Sequence, residues 1–406
     1  MIVRAVTLGI DLEWLPEPEM MARAAGALGA LVRLLQEAGH EVQTSRVALA
    51  PYYERLPPDR AAALPRAAEE IEAELNGLGV GYVSFGPIRW RTLGDDLAAQ
   101  YVPIVTDALI ATSASFFSVE VADNSGIRYP AVQAAARMIR EIADATEDGF
   151  GNLRLAAIAN CPAGIPFFPA GYHDGHTWTL SIALQSADIV AEAVSGDDAL
   201  MAGLGRVSSV FQAYEAELEQ LIAPEARRLD IHYLGLDRSP APFPTDQMSA
   251  AFMLERAGVG RFGEPGTLAA AMLLTAAIRG GGSGIGFSGL MLPLLEDSGL
   301  ARRAGEGLYS WSELLLYSAV CGTGLDTVPL PGDSSEDELA GIVLDVAALS
   351  TALRKPLTAR LFPVPGLAAG ERTSFSFPYF ANSVVLATRE GGPEKLMRRA
   401  LLAAQA

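Results

Sequence analysis

A chain of 406 residues, 50% of them hydrophobic, is long enough to bury one or two large cores. Its two cysteines, Cys161 and Cys321, are too few for a disulfide framework and lack the paired spacing of a zinc site, so we expect a reducing, cytoplasmic environment. The net charge of −18 is offset by no cluster of basic and aromatic residues, so we expect no nucleic-acid partner.

The chain begins with an alternating apolar stretch, residues 3–10, that soon meets Asp11. This pattern is typical of a first strand and not of a secretion signal. The most apolar stretch, residues 267–278, ends at Arg279 and is too short to span a membrane. We therefore expect no membrane partner.

Strand-like and helix-like patterns alternate along the chain. We predict strands at 3–10, 41–49, 80–88, 113–122, 152–160, 229–237, 357–364 and 383–389. We predict helices at 20–39, 60–79, 132–146, 183–222 with a break at Ser195–Asp197, 247–257, 266–279, 310–320, 335–353 and 393–405. Interleaved strands and helices favour an α/β fold. No long linker interrupts the pattern, so we expect one unit over residues 1–406, or two intimately joined halves near 1–225 and 226–406.

The segment 282–289 contains Gly284, Gly286 and Gly289, which match the glycine spacing of a dinucleotide-binding motif. That motif needs a strand before it, whereas an alanine-rich helix is predicted here. We therefore expect neither a nicotinamide nor a flavin cofactor. The glycines are better explained by close backbone approach or positive φ in a loop.

One imidazole group and one carboxylate group lie in or beside loops, where binding and catalytic residues are commonly found. His173 lies in a proline- and glycine-rich loop with Asp174 and His176, and either contacts a metal or substrate or belongs to a solvated loop. Asp237 ends a predicted strand before a proline-rich turn. It either contributes to a site at the carboxyl end of that strand or only caps the turn.

Cys321 lies between an apolar helix-like run and a glycine-punctuated loop. The neighbouring Gly322 and Gly324 allow backbone amides to turn towards a bound anion, and a nearby cation would lower the pKa of the thiol. Free cysteine is also among the residues most often buried and inert, so both interpretations stay open. Further on, Asp333, Ser334 or Ser335 can cap the helix predicted at 335–353.

Five long strings, at 151–173, 264–278, 286–301, 319–333 and 355–366, together with the opening residues 3–11, resemble the family catalogued as domain of unknown function 711, whose members are called PFL-like. The resemblance implies a fold similar to pyruvate formate-lyase and the anaerobic ribonucleotide reductases: a ten-stranded α/β barrel of two five-stranded halves. Residues 391–406 contain no glycyl-radical motif, so the resemblance does not extend to glycyl-radical catalysis. It draws attention to Asn160, His173, Asp237, Ser288, Glu296, Asp297, Cys321, Asp326, Asp333 and Arg360.

The first functional hypothesis is an enzyme that acts on a small, carboxylate-bearing metabolite inside the barrel by thiol or acid/base chemistry. Cys321 would be the nucleophile or a thiol acid/base, Asp326 or His173 the proton-transfer partner, and Asp237 a second acid or a ligand. Arg360 would clamp a substrate carboxylate. The other substrate-binding candidates are Asn160, Ser288, Gly322 and Gly324.

Two alternatives remain. In a divalent-metal-dependent lyase or hydrolase, His173, Asp237 and Asp326 would be the ligands. The other alternative is a non-catalytic binding or regulatory protein that keeps the cavity without its chemistry. In each case we expect a small-molecule ligand and a homo-oligomer, most commonly a dimer.

Overall fold

The computed structural model describes residues 1–12, 18–196, 200–280, 284–389 and 392–404. Strands and helices alternate through most of this range, which confirms the predicted α/β class. Within it, no helix is both long and apolar enough to cross a lipid bilayer.

The strands form one mixed sheet. They are β1 (Ile2–Ile10), β2 (Glu41–Val42), β3 (Ser45–Leu49), β4 (Tyr82–Arg89), β5 (Ser115–Asp123), β6 (Gly126–Ile127), β7 (Leu155–Ala159), β8 (Thr179–Gln185), β9 (His232–Ala241), β10 (Gly324–Pro331) and β11 (Leu357–Val364). Their order is β10-β11-β7-β5-β4-β3-β1-β8-β9, and the two-residue strands β2 and β6 pair beside β1 and β5. The resemblance implied ten strands, whereas the sheet of the described residues has eleven, nine of them on one path.

Helices connect most of the strands along the chain. They are α1 (Pro18–Glu37), α2 (Leu64–Gly77), α3 (Trp90–Leu93), α4 (Asp95–Ala111), α5 (Tyr129–Ala145), α6 (Ala187–Val194), α7 (Leu200–Arg228), α8 (Ala250–Arg256), α9 (Thr267–Arg279), α10 (Ser298–Gly305), α11 (Trp311–Ser318), α12 (Glu336–Leu353) and α13 (Glu394–Ala404). Of the three caps predicted for α12, Ser335 is the one used: its Oγ accepts from Glu338 N at 3.2 Å. The Glu338 side chain accepts in return from Ser335 N, which completes a capping box.

Strand direction divides the sheet into two groups. Strands β1, β3, β4, β5 and β7 are parallel to one another, with Leu8 opposite Val47 and Val47 opposite Val83. At one side β8 runs antiparallel to β1, and β9 follows β8 in parallel. At the other side β11 runs antiparallel to β7, and β10 follows β11 in parallel. The sheet thus joins strands from before and after residue 225 without interruption.

Two predicted elements differ from the structure. Residues 183–185 were predicted as helix, but they end β8, which pairs along its whole length with β1. Residues 383–389 were predicted as a strand, but only Val384 forms a bridge, to Arg372. Leu386 N donates to Pro329 O at 2.9 Å, yet β10 carries Pro329 and Pro331, which have no N–H, so no ladder can continue there.

Alternate residues of the strands face two different environments. On β3, Val47 and Leu49 join the large apolar core that the helices cover, while Ala48 packs with Phe116 and Phe168 in a separate cluster. On β7, residues 155, 157 and 159 face the large core, whereas 156 and 158 join a smaller cluster with Phe287 and Met291. The sheet is therefore covered on both faces, and the face away from the helices holds the site described next.

Candidate functional site

A cavity of about 70 Å³ lies on the face of the sheet away from the helices. Its polar wall consists of Arg46, Glu296, Thr323, Asp326, Thr358 and Arg360. Its apolar wall includes Phe168, Phe287 and Met291. The volume suits a few heavy atoms and not a large cofactor.

Strands from both ends of the sheet path contribute to this wall. Ala241 belongs to β9 and Asp326 to β10, which are the first and last strands of the path. The segment 284–296, between α9 and α10, contacts both of them: Ile285 N donates to Leu236 O at 3.2 Å, and Pro293 forms a parallel bridge with Asp326. The cavity is thus enclosed by parts of the chain that are distant in sequence.

Arg360 is held between two carboxylates in the wall. Its Nε donates to Asp326 Oδ1 at 2.6 Å, and its Nη2 donates to Glu296 Oε1 at 2.7 Å. Its Nη1 donates to Leu153 O at 3.4 Å. Burial opposes the charge of Arg360, but the two carboxylates outweigh burial and hold its pKa above the ordinary value. The protein itself therefore uses every nitrogen of this guanidinium.

Glu296 is shared with a second arginine. Arg4 Nη2 donates to Glu296 Oε2 at 3.2 Å, and Arg4 also lies 5.1 Å from the centre of the Tyr379 ring. The carboxylate of Glu296 thus has one arginine on each oxygen and is fully neutralised by the protein.

Arg46 has a different environment, although it is also buried. Its Nε donates to Thr44 Oγ1 at 2.9 Å, and its guanidinium lies 5.6 Å from the Tyr82 ring and 5.3 Å from the Phe168 ring. In the described part of the chain, no hydrogen bond uses its two Nη atoms and no carboxylate forms an ion pair with it. Burial, assisted by the charge of Arg4, lowers the pKa of Arg46 to about 9.

The charges around the cavity do not balance. Among the described residues of this network, the three guanidinium groups of Arg4, Arg46 and Arg360 face the two carboxylates of Glu296 and Asp326. One positive charge remains in excess, inside a protein whose net charge is −18. A buried cation without a partner is costly, and an anion placed beside it would remove that cost.

The predicted Asp237 lies outside the cavity wall and is fully occupied. Its carboxylate accepts from the backbone N–H groups of Ser239, Phe287 and Ser288 at 2.9, 2.8 and 3.0 Å. Burial raises the pKa of Asp237, and these hydrogen bonds oppose the rise. The structure thus places Asp237 as an anchor for the start of segment 284–296.

Cys321 is fully buried and does not line the cavity. It belongs to the large apolar core, and burial raises the pKa of its thiol in spite of the nearby Lys355 ammonium. Lys355 Nζ donates to Ser318 O at 2.8 Å and also to Cys321 O, so it caps the end of α11. This geometry leaves Cys321 as a neutral thiol beside the cavity wall and not in it.

The other predicted residues are also engaged in local structure. His173 is buried with Nδ1 3.2 Å from Thr179 Oγ1, and burial lowers its pKa. Asn160 Nδ2 donates to Ser350 Oγ at 2.9 Å, and Asp297 caps α10 by accepting from Leu300 N at 2.9 Å. Ser288 Oγ donates to Ile285 O at 2.6 Å.

Gly322 and Gly324 allow close packing next to the cavity. A β-carbon on Gly322 would lie 3.0 Å from Gly289 C, and Gly324 has a φ of +100° with no room for a β-carbon beside Thr358 O. The predicted metal set is not gathered: His173, Asp237 and Asp326 form no group, and the described residues contain no cluster of three or more His, Cys, Asp or Glu that could hold a metal ion.

The family model described as Uncharacterised ACR (DUF711) matches residues 1–378. The chain belongs to this family. A UPF0210 protein of Methanopyrus kandleri is 31% identical over 409 residues, covering 91% of this chain and 87% of that protein. A UPF0210 protein of Syntrophobacter fumaroxidans is 30% identical over 405 residues, covering 92% and 88%. One of Pyrobaculum islandicum is 31% identical over 406 residues, covering 91% and 86%.

Within this DUF711 chain, the sequence drew attention to Asp326 and Arg360, which line the cavity together with Glu296. It missed Arg46. One signal was available: an arginine stands at the centre of the strand-like stretch 41–49, where Thr44, Arg46 and Ala48 share one face. A charged residue on a strand that is covered on both sides needs a partner or a ligand.

Proposed function

We propose that this DUF711 protein is an enzyme that binds a small anionic metabolite in the cavity and acts on it by acid/base chemistry. The observation that carries the proposal is Arg46, a buried guanidinium that lines the cavity with both Nη atoms unpartnered within the described residues. A guanidinium with free donors is well suited to bind a carboxylate in a water-poor site.

Asp326 is the group that we assign to proton transfer. Arg360 occupies its Oδ1, and no hydrogen bond in the described part of the structure reaches its Oδ2, so one carboxylate oxygen is left to accept a proton from a ligand. Two contacts of Arg360 hold Asp326 and Glu296 in place, and a third, to Leu153 O, fixes the guanidinium itself. Arg360 is therefore a positioning residue in this proposal, and Arg46 is the clamp.

No catalytic step is assigned to a thiol or to a metal ion. The sulfur of Cys321 would have to leave the apolar core to reach the cavity, and its raised pKa keeps it protonated. His173, Asp237 and Asp326 would have to come together from separate environments to hold an ion. Acid/base chemistry by Asp326 requires neither rearrangement.

The sheet is proposed to close into a barrel similar to that of pyruvate formate-lyase. Two observations support this: β9 and β10 line one cavity, and the segment that contacts both of them runs parallel to β10 at Pro293. With that segment as a fifth member, β8 to β11 would match the five parallel strands of the other group. An experimental structure with β9 and β10 at opposite open edges would contradict this.

Anion binding is tested by thermal unfolding and calorimetry with small carboxylates. Wild-type protein should gain about 2.7 kcal/mol of stability at a ligand concentration of one hundred times Kd. Arg46→Met should abolish the gain without lowering the stability of the free protein. The matched control is Arg23→Met, since Arg23 also lies over an aromatic ring, Trp178 at 4.5 Å, but outside the cavity. Unchanged binding by Arg46→Met would overturn the proposal.

Catalysis is tested separately from binding. Asp326→Asn should keep the anion and lose turnover of any metabolite that the wild-type protein converts. If bound metabolites are never converted, the non-catalytic binding protein is the correct alternative.

The homodimer remains a proposal from the frequency of such assemblies among soluble proteins. Light scattering of the purified chain measures it directly.

A further inference from the structure

A second unpartnered polar group lies in the cavity wall. Thr323 immediately precedes β10, is buried, and has an Oγ1 without a hydrogen-bond partner among the described residues. Its carbonyl, by contrast, is doubly used, because Thr358 N and Thr358 Oγ1 donate to it at 2.7 and 3.0 Å. The backbone is thus fixed, while the hydroxyl of this cavity-lining residue has no partner among the described residues.

Thr323 and Asp326 lie three residues apart at the start of β10, and both line the cavity. Together they offer one hydroxyl and one carboxylate oxygen, Oδ2, that the described protein groups leave unused. A hydroxyl can donate and accept, whereas a carboxylate only accepts. A ligand hydroxyl fits this pair, since it can donate to Asp326 and accept from Thr323.

Arg46 lines the same cavity from β3, so a residue with free guanidinium donors, a residue with an unpartnered hydroxyl and a carboxylate share one small volume in the described structure. Counted over the described residues, the network around the cavity carries a single excess positive charge. That excess is balanced by one negative charge, not by the two of a phosphate dianion or a dicarboxylate. An amino acid, whose own charges cancel, would leave Arg46 uncompensated.

We propose that the ligand of the cavity is a small monoanionic hydroxycarboxylate, with its carboxylate on Arg46 and its hydroxyl between Thr323 and Asp326. The inference rests on the proposed function and makes it more specific. Thr323 determines specificity for the ligand hydroxyl. Arg46 binds the carboxylate group and therefore contributes to the affinity of every small carboxylate.

The test measures Kd by calorimetry for four probes: lactate, propionate, alanine and inorganic phosphate. Wild-type protein should bind lactate at least tenfold more tightly than the other three. Thr323→Val keeps the shape of the side chain and removes only the hydroxyl. It should bring the preference for lactate over propionate to within about threefold and leave the Kd of propionate unchanged.

The matched control is Thr351→Val. Thr351 Oγ1 is likewise buried without a partner in the described residues, but it belongs to α12, away from the cavity. This variant should keep the full preference for lactate. A loss of the preference in Thr351→Val, or its retention in Thr323→Val, would overturn the assignment of Thr323.

The outcomes separate the two proposals. If lactate and propionate bind equally and Arg46→Met abolishes both, the hydroxyl inference fails while the anion site stands. If phosphate or alanine binds more tightly than lactate, the ligand class is wrong. If no probe binds, or Arg46→Met binds lactate as wild type does, the proposed function fails together with the inference.

Discussion

Asp237 and Arg46 are both buried charged residues on strands, but their surroundings differ in one respect. Three backbone N–H groups donate hydrogen bonds to the carboxylate of Asp237. Two of them belong to segment 284–296, which is thereby held against β9. Among the described residues, Arg46 donates one hydrogen bond, from Nε to Thr44, and its two Nη atoms have no partner although the residue lines a cavity. A saturated buried charge indicates a structural anchor, whereas an unsaturated one indicates a ligand site.

The largest effect is expected where a buried ion pair is broken, and it is measured by comparing the buried Arg360 with the exposed Arg302. Arg360→Met should lower the free energy of unfolding by about 4 kcal/mol, because it leaves Asp326 and Glu296 buried with fewer positive partners. Urea denaturation measures this, with Arg302→Met as control. Arg302 forms an exposed ion pair with Asp246 at 2.8 Å, and its loss should cost less than about 1 kcal/mol. Equal effects would mean that Arg360 is not held as described.

Asp237→Ala should lower the free energy of unfolding by about 3 kcal/mol, since three buried N–H groups lose their acceptor. The exposed Asp333→Ala is the comparison, with an expected change within about 0.5 kcal/mol. If Asp237→Ala folded with normal stability but lost a ligand, Asp237 would belong to the binding site after all.

The affinity for carboxylates should depend on alkaline pH. In the free protein the pKa of Arg46 is lowered to about 9, and only the charged guanidinium attracts an anion. Below that pKa the charge is present, so Kd should stay constant from about pH 6 to 8 and rise up to about tenfold per unit above pH 9. Calorimetry with lactate across this range gives the profile. A flat profile to pH 10 would show that Arg46 keeps its charge over this range and that burial does not lower its pKa as described.

The smallest effect is expected at Cys321. Cys321→Ala should cost about 1 kcal/mol of stability and change the Kd of lactate less than about twofold, because the sulfur lies in the apolar core. In the folded protein neither Cys321 nor Cys161 should react with a disulfide reagent at the rate seen in urea. Rapid reaction of Cys321 under native conditions would restore the thiol hypothesis.

Local signals explain which elements the sequence predicts well. The helix predicted at 335–353 is found at Glu336–Leu353, because Ser335 and Glu338 mark its beginning within four residues. The end of strand β8, residues 183–185, was merged with a helical stretch, since the strand depends on pairing with β1, about 180 residues away in the chain. The break predicted at Ser195–Asp197 corresponds to the end of α6 at Val194, although residues 197–199 lie outside the described range.

The cavity was only partly predictable for the same reason. Asp326 and Arg360 lie in strings that resemble a known family, so both could be selected. The sequence offers only a weak signal for Arg46, a charge within a strand-like stretch, and none for Thr323. Both became candidates through the hydrogen-bond partners that their side chains lack among the described residues, which requires knowing their neighbours in three dimensions. Cys321 stood out for its residue type and its flanking glycines, but burial governs its chemistry.

Glu296 receives Arg4, near the beginning of the chain, and Arg360, near its end. Both ends of the stretch from Arg4 to Arg360 must be present before this carboxylate has both partners. A fragment that lacks either arginine cannot assemble the site, so ligand binding will report that the chain extends at least as far as Arg360. During synthesis the pocket should therefore remain incompetent until the last strand has left the ribosome.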